Sequence, residues 1–243
     1  MILSAHQPVY LPGVILFNKI ALSDAFMFAG HCQYTQKSWQ TRNRIRHNDS
    51  ERWLSVPVKK SGRFGQSIDE TQFANLGKWK STHLEQIRQE YCKRPYFQAY
   101  FKPITALINA DWPNLGSLNR GLIRHFLKIL EIGTPILDSK DYFIRGHKTD
   151  LLIAASMAAG ADQHLSNEGS RAYVDEQQMA AAGIQHCWQV FEHPVYDQGH
   201  PFISNLSLID LLFNVGPAAS EIVRSSGHIE PGKFSPGEGK LKC

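Results

Sequence analysis

The sequence predicts an α/β fold, a Rossmann-like, mostly parallel sheet with a helical insertion in the middle of the chain. Three observations predict it. The first thirty residues read strand, turn, helix, strand, a unit of the size that brings two strands parallel. Residues 76–132 carry three successive apolar faces at helical spacing. From residue 134 onward, helix, glycine and strand alternate.

In order, residues 1–6 form a short apolar strand, and Pro8 and Pro12 exclude regular structure between them. Residues 14–22 are an apolar helix and 25–29 a second strand. Residues 33–66 are a basic stretch interrupted by strand-like 53–58. Trp79, His83, Leu84, Ile87 and Tyr91 share one helical face; Tyr96, Phe97, Tyr100, Phe101, Ile104, Leu107 and Ile108 make another, with Pro103 as a kink. Leu118, Leu122, Phe126, Ile129 and Leu130 form the third, closed by Gly133 as a left-handed cap. Strand 134–137, helix 150–159 ending at Gly160, and strand 163–166 follow. Helix 175–182 ending at Gly183 and strand 184–191 come next, then helix 207–214 with Asn205 as N-cap and Gly216 as stop. Residues 1–225 thus read as a single α/β domain, helical over about 76–132, and the Gly-, Pro-, Ser- and Lys-rich 226–243 as a flexible tail.

The chain has 243 residues, 42% hydrophobic and 20% charged, enough apolar content for a well-buried core and too much for a disordered chain. Its longest apolar run falls far short of the roughly 20 residues that span a bilayer, and the start lacks a signal-peptide pattern. The net charge of +4 is localised: residues 37–63 carry +6 and the remainder −2, a distribution unlike that of a DNA binder. Cys32, Cys92, Cys187 and Cys243 are widely spaced, which fits reduced cytoplasmic thiols rather than a zinc ribbon. Eleven histidines never fall at zinc-site spacing, and no glycine-rich phosphate loop is present, so no metal and no permanently bound cofactor is expected.

Four polar clusters stand where packing alone would not ask for them. Ala5-His6-Gln7-Pro8-Val9-Tyr10-Leu11-Pro12 puts a His–Gln pair at the end of the first strand, where open α/β sheets place ligands; a proline-fixed turn with a satisfied histidine is the alternative. Trp39-Gln40-Thr41-Arg42-Asn43-Arg44-Ile45-Arg46 sends three guanidinium groups to one side of a strand, suited either to an anion or to a charged, aggregation-resistant edge. Gly146-His147-Lys148-Thr149-Asp150 and the loop from Ser166 to Tyr173 form the third, with Thr149 or Asp150 also able to cap a helix. The fourth runs from His193 through Tyr196 and Gln198 to a helix on which Ser207, Asp210 and Asn214 share a face, either solvent-facing or a wall of a site. His193 and Asp210 are candidates for a general-base pair.

In order along the chain, AHQPVYLP, FNKIALSDAF, QY with KSWQTRNRIR, WLSVPV, RPYF, GHKTDLLI, GADQHLS with AYVD, and HPVYDQ with LSLIDLLFNVG resemble the WbqC-like family of bacterial proteins over about residues 1–216. The resemblance implies a cytoplasmic transferase of surface-polysaccharide (O-antigen) biosynthesis that moves glycine or another aminoacyl group onto an amino sugar. The site residues it carries over are His6, Gln7, Tyr10, Arg42, Asn43, Arg44, Lys148, Asp150, Ser166, Tyr173, His193, Tyr196, Gln198, Ser207, Asp210 and Asn214. The chain departs from the family pattern at Gly13 (usually Trp), Ile15 (usually Gly), Gly30-His31 (an acidic pair), Thr41 (Asn) and Asn167 (Gly).

The leading expectation is therefore an N-acyltransferase acting on a nucleotide- or lipid-linked amino sugar with an activated acyl donor. His6 is the expected base because a histidine of ordinary pKa suits that role. Asp210 would orient it or the sugar, Gln7 or Asn43 would donate to the acyl oxygen, and Arg42, Arg44 and Arg46 would hold a phosphate. A nucleotide-binding transferase or ligase of sugar modification and a non-catalytic module of a glycan assembly complex are the alternatives.

Overall fold

A computed structural model describes residues 1–74, 77–144 and 146–237. The first strand, β1 (Ile2–His6), runs into the two-proline turn and then α1 (Val14–Ala21), and β2 (Ala25–Phe28) returns parallel to β1. The insertion follows. It opens with an antiparallel hairpin, β3 (Arg42–His47) and β4 (Ser50–Ser55), separate from the main sheet. Helices α2 (Lys78–Tyr91), α3 (Phe97–Asn109) and α4 (Leu115–Ile129) complete it, with Pro103 inside α3 and Asn114 capping α4 through Ser117 N–H at 2.8 Å.

The chain then resumes the sheet with β5 (Ile136–Asp138), α5 (Thr149–Ala158), β6 (Gln163–Asn167), α6 (Glu176–Ala181) and β7 (Gln185–Phe191). Gly160 and Gly183, at φ +67° and +80°, end α5 and α6 in the left-handed region where a side chain is strained. Helices α7 (Leu208–Val215) and α8 (Ala219–Ser225) lead to β8 (Gly227–Pro231), antiparallel to β7. The sheet order is β5-β2-β1-β6-β7-β8. Counted among themselves, its five parallel strands follow the doubly wound order 3-2-1-4-5, so the winding reverses between β1 and β6. This is the expected α/β, Rossmann-like sheet with its insertion between the second and third parallel strands.

Three local expectations are corrected. The tail does not begin at 226, because residues 227–231 pair as the edge strand; residues 238–243, Cys243 among them, lie outside the described residues. Glu131 rather than Gly133 takes the left-handed position after α4. Ser207, not Asn205, caps α7, while Asn205 itself sits at φ +58°.

One core joins α1, α2, α3, α4, α7 and α8 to the face of the sheet that carries Phe26 and Phe28, with Phe17 edge-on to Phe126 at 5.9 Å. Fully burying side chains of this size stabilises by about 1.5–3 kcal/mol each. Smaller clusters around Leu3, Met27 and Ala155, and around Leu152 and Met179, seat α5 and α6 on the other side. Among the described residues no helix is long and apolar enough to cross a membrane.

Register partners His164 and His186 stack 6.4 Å apart in that second layer, and burial pushes them down to about 3 and about 4. His164 meets Ser156 Oγ at 2.9 Å, whereas among the described residues neither ring nitrogen of His186 has a partner. At pH 7 both are neutral in the folded chain and mostly neutral in the unfolded one. Below about 6.5 the unfolded chain binds protons that the folded one refuses until about 4, so stability falls across that window. Thermal unfolding followed by circular dichroism should show the midpoint dropping from pH 7 to pH 4.5, and His186→Phe should flatten that drop.

Candidate functional site

Two adjoining cavities open where the winding reverses. The first, ≈ 350 Å³, is bounded by His6, the two-proline turn, the start of α1 at Gly13–Ile15, Trp39, His193 and Leu206. The second, ≈ 390 Å³, is bounded by His6, Gln7, Lys19, His164, Ser166 and Tyr173. His6, Trp39, Asn167 and Gly169 border both, so the two form one cleft with His6 between its lobes. The position follows from topology. His6 ends β1 and Ser166–Asn167 end β6, the neighbouring strands whose connections diverge to opposite sides of the sheet.

His6 is held in one tautomer. Its Nδ1 lies 2.7 Å from the Gln7 carbonyl, which only accepts, so Nδ1 carries the hydrogen and Nε2 is left as the acceptor. Burial and the nearby Lys19 charge push His6 down to about 3. The expectation of a near-neutral pKa is corrected: the ring is a neutral imidazole throughout the working range. Gln40 Nε2 donates to Gln7 Oε1 at 2.7 Å, which fixes that amide and leaves Gln7 Nε2 as its donor end. Trp39 stands 47% exposed at the border of both lobes, tilted against Trp53 at 5.3 Å. A half-bare indole at a cleft mouth is a stacking surface.

Of the anticipated site residues, His6, Gln7, Asn43, Arg44, Ser166, Tyr173 and His193 line the cleft. Several are engaged in holding its walls. Asn43 donates to the carbonyls of Tyr10 and Leu11 and accepts from Arg44 N–H, so its amide is not an oxyanion donor. Arg44 pairs with Glu51 at 2.7 Å and donates to the Asn205 carbonyl. His193 Nδ1–H donates to the Pro194 carbonyl, and Nε2 accepts from Asn205 N–H at 2.9 Å. With both nitrogens used, His193 pins the loop that carries Asn205 and Leu206. Tyr173 meets Ser170 at 2.9 Å.

Tyr10, Arg42, Lys148, Asp150, Tyr196, Gln198, Ser207, Asp210 and Asn214 do not line it. Tyr10 is a core residue whose hydroxyl meets His83 Nδ1 at 2.9 Å. Arg42 lies over Trp53 at 4.2 Å, and Arg46 is buried with its guanidinium on the carbonyls of His200 and Pro201. The expected phosphate clamp of three arginines is therefore not assembled. Lys148 and Asp150 flank the exposed start of α5, where Asp150 accepts from Gln178 at 2.6 Å.

The polar face of α7 turns inward, neither to solvent nor to the cleft. Asp210, fully buried, accepts the hydroxyls of Tyr91 and Tyr196, each at 2.8 Å, and lies 3.3 Å from Asn214 Nδ2. Gln198 donates to Tyr196 and to the Ile203 carbonyl. The anticipated pairing of Asp210 with His193 or His6 does not form, because the two phenols occupy the carboxylate and His193 is tied to backbone.

Lys19 and His164 line the second lobe without a signal that singles them out in sequence. Lys19 interrupts an apolar helix, and its one clue is that it follows Asn18, which is also buried. The edge at Gly30-His31 is supplied with carboxylates from elsewhere. Arg120 grips Asp69 and reaches Asp138, Nε to Oδ2 at 2.7 Å, and a Cβ on Gly30 would meet that pair at 2.1–2.5 Å. Among the described residues no group of three or more His, Cys, Asp or Glu side chains is placed to hold a metal ion.

The WbqC-like protein family matches residues 7–222. The chain is also similar to an uncharacterised protein of Mycobacterium tuberculosis, at 32% identity over 225 residues, which covers 90% of this chain and 95% of that relative. No solved structure matches.

Proposed function

Because the chain belongs to the WbqC-like protein family, we propose that it is an N-acyltransferase that joins glycine or another acyl group to the amino group of a nucleotide- or lipid-linked amino sugar of surface polysaccharide. The observation that carries this reading is the cleft itself. One neutral histidine, its Nε2 without a partner among the described residues, stands between two lobes at the switch point, each lobe within the size range of small-molecule sites.

In this reading the sugar amine attacks the acyl carbonyl from one lobe while the donor occupies the other. The attacking nitrogen becomes strongly acidic as the C–N bond forms, so even a weakly basic imidazole accepts its proton at Nε2. His6 then passes that proton to the leaving group as the bond between acyl carbon and donor breaks. Gln7 Nε2 donates to the oxygen on which charge develops. Trp39 stacks on a ring of the substrate. Gly13, Ile15 and Asn167, three of the departures from the family pattern, border the cleft, which makes donor and acceptor choice a property of this chain.

The test is incubation with nucleotide-linked amino sugars and activated glycine or acyl donors, followed by mass spectrometry. A gain equal to the acyl group is the expected result; its absence across a broad panel, with folded protein, counts against the proposal. Nucleotide binding without mass gain would favour a nucleotide-binding transferase or ligase. Trp39→Ala should raise KM about tenfold and leave kcat within about twofold, since stacking of this kind contributes roughly 1–3 kcal/mol. Steady-state kinetics reads that split.

A further inference from the structure

We propose that the second lobe is an oxyanion site in which a carboxylate or phosphate group of the bound substrate becomes the counter-charge of Lys19. The inference rests on the cleft being the substrate site and not on acyl transfer as its chemistry. Lys19 is 3% exposed and borders the lobe. Among the described residues its ammonium donates to one acceptor, the Ala5 carbonyl at 3.1 Å, although an ammonium carries three N–H donors. Among the described residues that border the lobe there is no Asp or Glu. Its polar lining is otherwise neutral: Gln7, Ser166 and Asn167 carry hydrogen-bond donors, while the Ser170 and Tyr173 hydroxyls bond each other and Ser170 also reaches Asn167 Oδ1.

A cation taken out of water without a partner is costly, and an entering oxyanion removes that cost while gaining charge-assisted hydrogen bonds. The arginines first expected to do this are engaged elsewhere, Arg44 by Glu51 and Arg46 by two backbone carbonyls. The titratable groups facing Lys19 are His6 from β1, His164 from β6, Cys32 beyond β2 and Tyr173 before α6. Both histidines are held neutral, partly by the Lys19 charge itself. Burial pushes Lys19 down to about 7. A bound anion raises it again, so above pH 7 binding takes up a proton and affinity weakens as pH rises.

The experiment titrates inorganic phosphate and, separately, acetate against the full chain at matched ionic strength, with thermal unfolding as the readout and chloride as control. Saturable stabilisation by either anion is expected; phosphate alone identifies a phosphorylated substrate and acetate alone a carboxylated one. Lys19→Met should keep the native circular dichroism spectrum and lose at least about tenfold in apparent affinity, while Arg44→Gln keeps the response. Calorimetry of the unmodified protein at pH 8 in buffers of different ionisation enthalpy supplies a reading that needs no variant: proton uptake on binding is expected. No response beyond chloride, an undiminished response in Lys19→Met, or no proton uptake would overturn the inference. Mass gain without an anion response removes this inference alone, and an anion response without mass gain removes acyl transfer alone.

Discussion

His6→Ala should lower the rate of acyl transfer by about 10²- to 10⁴-fold, the usual contribution of a positioned proton acceptor, while the protein stays folded. The size follows from position. His6 borders both lobes, and its Nδ1–H bond to the Gln7 carbonyl aims a single acceptor nitrogen rather than two interchangeable ones. The fold should tolerate the change because His6 is half-buried at the open end of β1 and, among the described residues, its ring makes one hydrogen bond, to backbone. The pH profile should differ from that of an ordinary histidine base. With His6 held at about 3, kcat/KM should show no acid limb from this group above about pH 4. Single-turnover measurements of wild type and variant over pH 5–9 check both statements.

Asp210→Ala should cost about 3–5 kcal/mol of stability, the larger of the structural effects expected here. The carboxylate is fully buried and accepts two tyrosine hydroxyls, Tyr91 from α2 and Tyr196 from the loop before α7. Its loss leaves both phenol O–H donors without their acceptor, at about 1–3 kcal/mol each, and opens a small cavity. Tyr91 also accepts Arg46 N–H at 2.9 Å, so the damage extends into β3 and loosens the insertion against α7. Urea unfolding should show the midpoint falling sharply. A stable but inactive Asp210→Ala protein would instead place this residue in the chemistry and contradict the assignment made from its partners.

The parts of the fold legible in the sequence are those where one physical signal dominates. Apolar faces at helical spacing gave α2, α3 and α4, and the glycines after α5 and α6 stop those helices where left-handed backbone is needed. The edge strand β8, Gly-His-Ile-Glu-Pro, carries no such signal, because an edge needs only one bonded side and tolerates polar residues and proline. The hairpin of β3 and β4 was legible as extended chain, yet nothing local says that it stands apart from the main sheet.

The site divides in the same way. His6 and Gln7 were readable because strand ends at a switch point are where ligands sit, a rule of topology visible in the order of elements. For the arginines, Asp210 and His193 the sequence pattern is incomplete, because spacing reports a shared face and is silent on partners. Glu51, two backbone carbonyls, two tyrosines and Asn205 decided their roles. Lys19 is illegible in the sequence for the converse reason. A lone lysine in an apolar helix reads as a solvated exception, and only the packed structure brings it beneath the cleft.

The central claim is that the cleft between the ends of β1 and β6 is where substrate binds, and a crystal structure of the protein soaked with a nucleotide-linked amino sugar tests it most directly. The account predicts density for the sugar between His6 and Trp39, its amino group within hydrogen-bond reach of His6 Nε2. Density confined elsewhere, for instance in the cavity bounded by Arg120, Arg124 and Lys140, with the cleft empty at saturating ligand, would contradict it.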